Sequence, residues 1–339
     1  MIKVQELTKI FRKPIRGKGL IGMIATLFSR KYTEIRAVDG VSFDISEGEI
    51  VGYIGSNGAG KSTTIKMMCG ILTPTSGKVF IGDKEPYLKR RVVAKDIGVV
   101  FGQKSQLWWD IPLVESFKVL KEIYQVSDED YEERMNFLSS VLGIDEFMTQ
   151  PVRTLSLGQR MRADLAASML HNPKILFLDE PTIGMDVLVK EKIRTAIHAL
   201  NAKYHTTVVL TTHDMADIEN LCSRIIMIEK GKIIYDGPLK DIKRRFGNIK
   251  TLTLTVPPSV DPEKVKPFSD DVTMVLDENN KDKVMLKFDA DKVVLEHVVQ
   301  YAFSKYQAID MKIADISIED VVKQILSQQE EEHEMAKKI

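Results

Sequence analysis

The chain has 339 residues, 44% hydrophobic and 28% charged, which is enough material for two domains of ordinary globular composition and unlike a disordered or collagen-like chain. Its 48 Lys and Arg balance 48 Asp and Glu, so no overall positive field argues for a nucleic-acid partner. Two cysteines, Cys69 and Cys222, stand in unrelated segments without metal-ligand spacing. That excludes a disulfide framework or a zinc site and points to a reducing compartment.

Met1 to Phe11 mixes charges with apolar residues and lacks the continuous apolar run of a secretion signal, so the chain is expected to stay in the cytosol. No stretch reaches the roughly 20 apolar residues that a membrane span needs. Between Phe11 and Val38 lies an insertion, Arg12 to Arg36, longer than the connection of about 2 to 5 residues that two neighbouring strands need. Its apolar centre, Leu20 to Phe28, is flanked by Arg12, Lys13, Arg16 and Lys18 on one side and Arg30, Lys31 and Arg36 on the other. Two readings fit: an interfacial helix facing anionic lipid or a partner's surface, and a helix packed on its own domain.

Apolar runs of the parallel-strand type recur at Ile50 to Gly55, Ile97 to Phe101, Ile175 to Leu178, Val208 to Thr212 and Ile225 to Ile228, with helical patterns between several of them. The alternation predicts an α/β domain. Val114, Phe117, Leu120, Ile123 and Tyr124 follow helical spacing, and Tyr131, Met135, Leu138 and Leu142 repeat it, which inserts two helices before Pro151. Beyond Gly237-Pro238 the period changes. Leu252, Leu254 and Val256 alternate with threonines, and Val284, Leu286 and Phe288 alternate again past the Asn279-Asn280 turn signal. Val293 to Tyr306 reads as a helix, Ile309 to Ile313 as a strand, and Ser317 with Asp320 as the capped start of a last helix. A small α+β domain is therefore expected over 251–327, followed by a polar tail at 328–339.

The chemistry concentrates in the first domain. Gly55-Ser56-Asn57-Gly58-Ala59-Gly60-Lys61-Ser62, with Thr63 next, matches the phosphate-loop pattern and stands between a predicted strand and a predicted helix. Glycines let successive backbone N–H groups converge on phosphate oxygens, the helix N-terminus adds positive potential, Lys61 adds a mobile cation and Ser62 a hydroxyl for Mg²⁺. Downstream, Ile175 to Glu180 is a buried-strand run ending in two acids. That places carboxylates at the C-terminal edge of the strand, where open α/β sheets bind ligands. Asp179 suits Mg²⁺, and Glu180 is placed to orient and deprotonate an attacking water.

Leu155-Ser156-Leu157-Gly158-Gln159, shortly before the acidic strand, resembles the signature motif of ABC ATPases, usually written LSGGQ. Gln103, Asp186 and His213 stand in the order of that family, and the resemblance covers roughly Met1 to Pro238. It implies a P-loop NTPase of the ABC type over 1–240 with an inserted helical subdomain at 112–165, using ATP and Mg²⁺. It also implies head-to-tail pairing, as a homodimer or pseudo-dimer, in which Ser156, Leu157, Gly158 and Gln159 of one copy cap ATP on the phosphate loop of the other. In that scheme Gln103 senses Mg²⁺ and the attacking water, His213 touches the γ-phosphate, Asp186 lies in the loop that crosses the dimer, and Phe11 stacks on adenine. The chain departs from the pattern at Leu157 in place of the first signature glycine, Ser56 in place of a common proline, Phe11 in place of tyrosine, and an extra residue, Gly102. Taken alone, Phe11 equally suits a core position, and a lone histidine such as His213 is usually structural.

Trp108 and Trp109 follow Gln103 and suit either core packing or, as the resemblance implies, the groove that receives a helix from an integral-membrane permease. The leading expectation is thus an ATP-hydrolysing motor for a permease at the cytoplasmic face of the membrane. Phe101-Gly102-Gln103, Thr182 to Asp186 and the C-terminal domain resemble drug- and antibiotic-resistance exporters more than importers. Rival readings are an importer ATPase, a soluble ABC ATPase acting on ribosomes or DNA, and an inactive nucleotide-binding regulator; Lys61, Asp179, Glu180 and His213 disfavour the last.

Overall fold

The structure is a computed structural model that describes the chain apart from residues 15–31, 103, 246–248, 266–267, 277–279, 281, 316–319, 322–324 and 326–339. The apolar centre of the insertion, Gln103, Asn279, Ser317 and the polar tail lie outside the described residues. The chain divides into two compact units, Met1–Gly237 and Pro238–Ile339.

In the first unit, β1 (Ile2–Pro14), β2 (Tyr32–Ile45) and β4 (Ser76–Ile81) form an antiparallel sheet in the order β2-β1-β4. Ile2 and Val4 are paired with Ile45 and Phe43 on one side and with Ile81 and Val79 on the other, all of them buried. The β1–β2 ladder runs out as far as Pro14 opposite Tyr32, so the flanks of the expected 12–36 insertion are strand, with Arg12 and Glu34 ion-paired at 3.1 Å.

The second sheet of this unit has the order β5-β6-β7-β3-β8-β9. Its members are β3 (Ile50–Ile54), β5 (Ile97–Phe101), β6 (Ile175–Asp179), β7 (Thr207–Thr211), β8 (Arg224–Glu229) and, at the edge, β9 (Lys232–Pro238). The strands from β5 to β8 pair in parallel. Every residue of β3 and β7 is buried, which explains their uninterrupted apolar runs: parallel strands are covered on both faces. Helix α1 (Lys61–Met68) contributes Ile65, Met67 and Met68 to one apolar cluster that also takes in Val4 and Phe43 of the antiparallel sheet and Tyr53 and Phe177 of the parallel one.

A four-residue helix, α2 (Arg90–Val93), precedes β5, and the helical arm follows it with α3 (Leu113–Tyr124), α4 (Asp128–Leu142) and α5 (Leu157–Met169). Ser127 caps α4 by accepting from the Asp130 amide, and Gly143 ends it at φ 58°. Ile123 follows the helical spacing of Phe117 and Leu120, but the structure leaves it 58% exposed and buries Leu113, Ser116, Phe117 and Leu120. The inward stripe is thus rotated and includes the small Ser116. Helices α6 (Val187–Tyr204) and α7 (Met215–Leu221) complete the unit.

The second unit carries α8 (Leu239–Arg245), α9 (Leu295–Tyr306) and an antiparallel sheet of order β11-β12-β10-β13. Its strands are β10 (Ile249–Thr255), β11 (Val272–Leu276), β12 (Lys283–Asp289) and β13 (Asp310–Asp315). Leu252, Leu254, Val284, Leu286 and Phe288 meet Val298, Ala302 and Tyr306 of α9 in a separate core. The alternation of β10 and β12 follows from a sheet covered on one face. β11, which sequence reading passes over, is an edge strand with one fully buried residue, Val272.

Candidate active site

The site is built by strand register. Asp179, the last residue of β6, stands opposite Thr211, the last residue of β7, and opposite Phe101, the last residue of β5. Because these strands run parallel to β3, which leads into the phosphate loop, all their C-terminal ends emerge on one edge. A cleft of about 410 Å³ opens there, lined by Ser62, Phe101, Gly102, Asp179, Glu180 and Ile183, and by Lys66, Ile71 and Lys104.

Gly60 initiates α1 with φ 115°, and a Cβ there would fall 2.4 Å from the Ala37 carbonyl oxygen, so only glycine fits. No side chain caps α1 and its first turn holds no acid, which leaves its leading N–H groups directed at an anion site. The buried Lys61 ammonium donates to the carbonyls of Gly55 at 2.7 Å and Ser56 at 3.0 Å. Burial draws its pKa below the ordinary lysine value against the pull of Glu180, Asp179 and Glu229. Ser56, in place of the common proline, donates its hydroxyl to Glu229 at 2.6 Å and so ties the phosphate loop to the end of β8. Asn57 and Gly58 are exposed at the loop's tip, Ala59 is buried beneath it, and Thr63 is half-buried on the first turn of α1.

Asp179 Oδ1 accepts from Ser62 at 3.2 Å and from Thr211 at 2.6 Å. A carboxylate and a hydroxyl at a phosphate loop are hard oxygen donors of the kind Mg²⁺ takes alongside phosphate and water, so the residues present fit the ion. Glu180 adopts φ 57°, a left-handed conformation that costs a non-glycine residue on the order of 1 kcal/mol. Its amide is fixed by the carbonyl and hydroxyl oxygens of Thr211 at 2.9 and 3.2 Å. His213 Nε2 lies 2.8 Å from Glu180 Oε1. Gly102 lets its chain pass close over this turn: its amide donates to the Asp179 carbonyl at 2.8 Å, and a Cβ would come within 2.6 Å of the Glu180 oxygen.

Lys61, Ser62, Asp179, Glu180 and His213 therefore share one edge, whereas the signature residues stand apart. Ser156 and Gln159 form a reciprocal capping box at the start of α5, in which the Ser156 hydroxyl accepts from the Gln159 amide at 3.2 Å and Gln159 Oε1 accepts from the Ser156 amide at 2.9 Å. Leu157 is 43% exposed beside a half-buried Gly158. Asp186 caps α6 by accepting from the Val189 amide at 3.0 Å. Among the described residues, no hydrogen bond joins this group to the phosphate loop. Phe11, 39% exposed on β1 with the Lys9 ammonium 5.4 Å from its ring centre, is not a core residue.

Trp108 and Trp109 are 40% and 49% exposed, so core packing does not account for them. The Arg160 guanidinium lies 4.6 Å from the Trp109 ring centre, and the strap after Gln103 is zipped to the signature segment. Asp164 on α5 accepts from the Ser105 hydroxyl at 2.9 Å and the Gln106 amide at 3.1 Å, the Trp109 carbonyl accepts from the Arg153 amide at 2.9 Å, and Asp110 pairs with Arg153 at 3.0 Å. Burial lifts the Asp164 pKa to about 6, against the lowering effect of those two hydrogen bonds and of Arg160. Sequence reading missed Asp164 because an acid inside an apolar helix looks like a surface residue until its donors are known. Thr211 and Glu229 carried only their position at strand ends as a signal.

A strand, a glycine-rich turn and a helix, facing acids at the end of a parallel strand of the same sheet, define a phosphate-binding nucleotide domain. Residues 38–183 match the ABC transporter family. The chain is 34% identical over 220 residues to the probable multidrug ABC transporter ATP-binding protein YbhF of Escherichia coli, an alignment covering 65% of this chain and 38% of that protein. It is 34% identical over 228 residues to the methionine import ATP-binding protein MetN of Halalkalibacterium halodurans, covering 66% and 67%. The structure is similar to the dimeric ATP-binding cassette MJ0796 in a post-hydrolysis state bound to ADP and Pi, with TM-score 0.58, 27% identity, and coverage of 70% of this chain and 99% of that one. The chain belongs to the ATP-binding proteins of the ABC transporter family, and its fold is the ABC-type P-loop NTPase fold. Similarity to an importer as well as a multidrug protein leaves the exporter expectation unsupported at the level of family.

Replacing Lys61 with Ala removes a buried charge-assisted donor and should weaken MgATP binding by about 10- to 100-fold in equilibrium titration, with little change in thermal stability. Asp164 has its pKa raised on folding, so its stabilising contribution is complete below its unfolded value of 3.8 and is lost as pH rises through about 6. Between about pH 5 and pH 8, urea unfolding should show the wild type losing on the order of 1 kcal/mol relative to Asp164→Asn, which keeps the acceptor but does not titrate.

Proposed function

We propose that this chain is the ATP-hydrolysing motor subunit of a transporter whose membrane permease is a separate protein. The observation that carries the reading is the Glu180 carboxylate at 2.8 Å from His213 Nε2, beside the Ser62–Asp179 pair and the N-terminus of α1. Lys61 and the amides from Gly58 to Thr63 bind the phosphates, and Phe11 offers its exposed ring to the adenine. Ser62 and Asp179, with Gln103, would hold Mg²⁺, which would supply charge neutralisation on the phosphates. Glu180 orients the attacking water and takes its proton, while His213 fixes the carboxylate and reaches the γ-phosphate. Ser156, Leu157, Gly158 and Gln159 of a second copy complete the site, with Asp186 at the crossing, so that nucleotide is clasped between two copies.

The partner is an integral-membrane permease, and the chain works against its cytoplasmic surface. No helix among the described residues is long and apolar enough to cross a membrane. The exposed Trp108–Trp109 strap is the docking element, because two rigid aromatics on a loop braced against α5 offer apolar area at small entropic cost. Export of a drug, peptide or lipid-like substrate is supported by the segments at 101–103 and 182–186 and by the similarity to YbhF. The similarity to MetN favours import as the second reading. The unit from Pro238 onward is proposed to serve pairing or regulation.

Glu180→Gln should lower ATP hydrolysis by about 100-fold or more while retaining nucleotide and accumulating a dimer in size-exclusion chromatography; a variant that hydrolyses at the normal rate refutes the reading. Replacing Trp108 and Trp109 together with Ser should leave hydrolysis by the purified chain intact and strip it from native membranes. Undiminished recovery in the membrane fraction removes the docking role.

A further inference from the structure

Asp217, on α7, is wholly buried, and all of its side-chain partners come from other segments. Oδ2 accepts from the Thr182 hydroxyl and, at 2.9 Å, from the Thr212 hydroxyl. Oδ1 accepts from Arg194 Nε at 2.7 Å and Nη2 at 2.6 Å. Four donors on two oxygens leave the carboxylate one orientation. The donors are placed pointedly: Thr182 is two residues after Glu180, Thr212 is the residue before His213, and Arg194 lies on α6, the helix capped by Asp186. The Thr212 hydroxyl also accepts from the Asp214 amide at 3.0 Å, and Asp214 pairs with Lys190 at 2.5 Å, so both neighbours of His213 in the chain are pinned. The helix needs none of this for its own start, since Asp214 caps it.

We propose that Asp217 is a positioning residue that sets the Glu180–His213 contact by gripping the chain after one and before the other. The proposal rests on the catalytic reading of those two residues. A strained glutamate and a half-exposed histidine on separate loops have no covalent reason to keep a hydrogen bond, and a shift of about 1 Å at such a contact costs on the order of 100-fold in rate. Arg194 pairs with the buried carboxylate and joins the node to the helix that Asp186 caps.

The test uses the full chain. Thr212→Val removes the donor and keeps the side-chain shape, whereas Thr212→Ser keeps the donor. Thr212→Val should lower kcat about tenfold with KM for ATP within about twofold of wild type, and Thr212→Ser should restore it. In a His213→Ala background, Thr212→Val should cost little more, because the hydroxyl acts through the missing ring. Unchanged kcat in Thr212→Val, a full additive loss in the His213→Ala background, or failure of Ser to rescue overturns the positioning role alone. Should Thr212→Val unfold, Thr182→Val with Thr182→Ser supplies the same comparison from the Glu180 side. Wild-type hydrolysis by His213→Ala overturns the catalytic reading and the proposal with it.

Discussion

The parallel pairing of β6 with β7 is the constraint on which the rest depends. Once Asp179 stands opposite Thr211, Glu180 and His213 leave the sheet side by side, and β5 delivers Gly102 to the same edge because Phe101 is opposite Asp179. A slip of one residue would turn every side chain to the other face and separate the pair. The register is locked by burial. Ile175 to Leu178 and Val208 to Leu210 are at most 1% exposed, so any other alignment places gaps or polar atoms in a close-packed interior.

Charge is arranged against this scaffold. Three carboxylates, Asp179, Glu180 and Glu229, act on the desolvated Lys61 at the N-terminus of α1, which no side chain caps. Cation and helix end attract phosphate, the acids attract a divalent ion, and the two demands are met together by a metal–nucleotide pair. Thr211 and Ser56 are the quiet members: one hydroxyl orients Asp179, the other anchors the phosphate loop to Glu229. Asp164 and Arg160 brace the strap after Gln103 against α5, so the segment that follows the residue expected to sense Mg²⁺ and the attacking water is held by contacts to the helix begun by the signature.

The elements that follow from strong local patterns were legible. Uninterrupted apolar runs announced β3, β5, β6, β7 and β8 to within a residue or so at each end, and the Leu252 and Val284 alternations announced β10 and β12. The weak edge strand β11 was not, because an edge position asks for little burial. Ile123 shares the helical spacing of Phe117 and Leu120 yet is exposed, because such spacing defines a stripe but not where its centre falls. Phosphate loop, acidic strand end and signature were legible as motifs because each is short and local. Asp217 was not, since its four donors come from three places in the chain.

The sequence by itself determined the chemistry on offer: a glycine-rich turn, a lysine, two adjacent acids and a histidine, each fixed by the backbone freedom or charge its role requires. Only the tertiary structure decided that Glu180 and His213 meet at hydrogen-bond distance, that Trp108 and Trp109 face outward, and which buried carboxylate holds the loops together. These are relations between segments far apart in the chain, and their geometry is set by sheet register and close packing, which no local run of residues encodes.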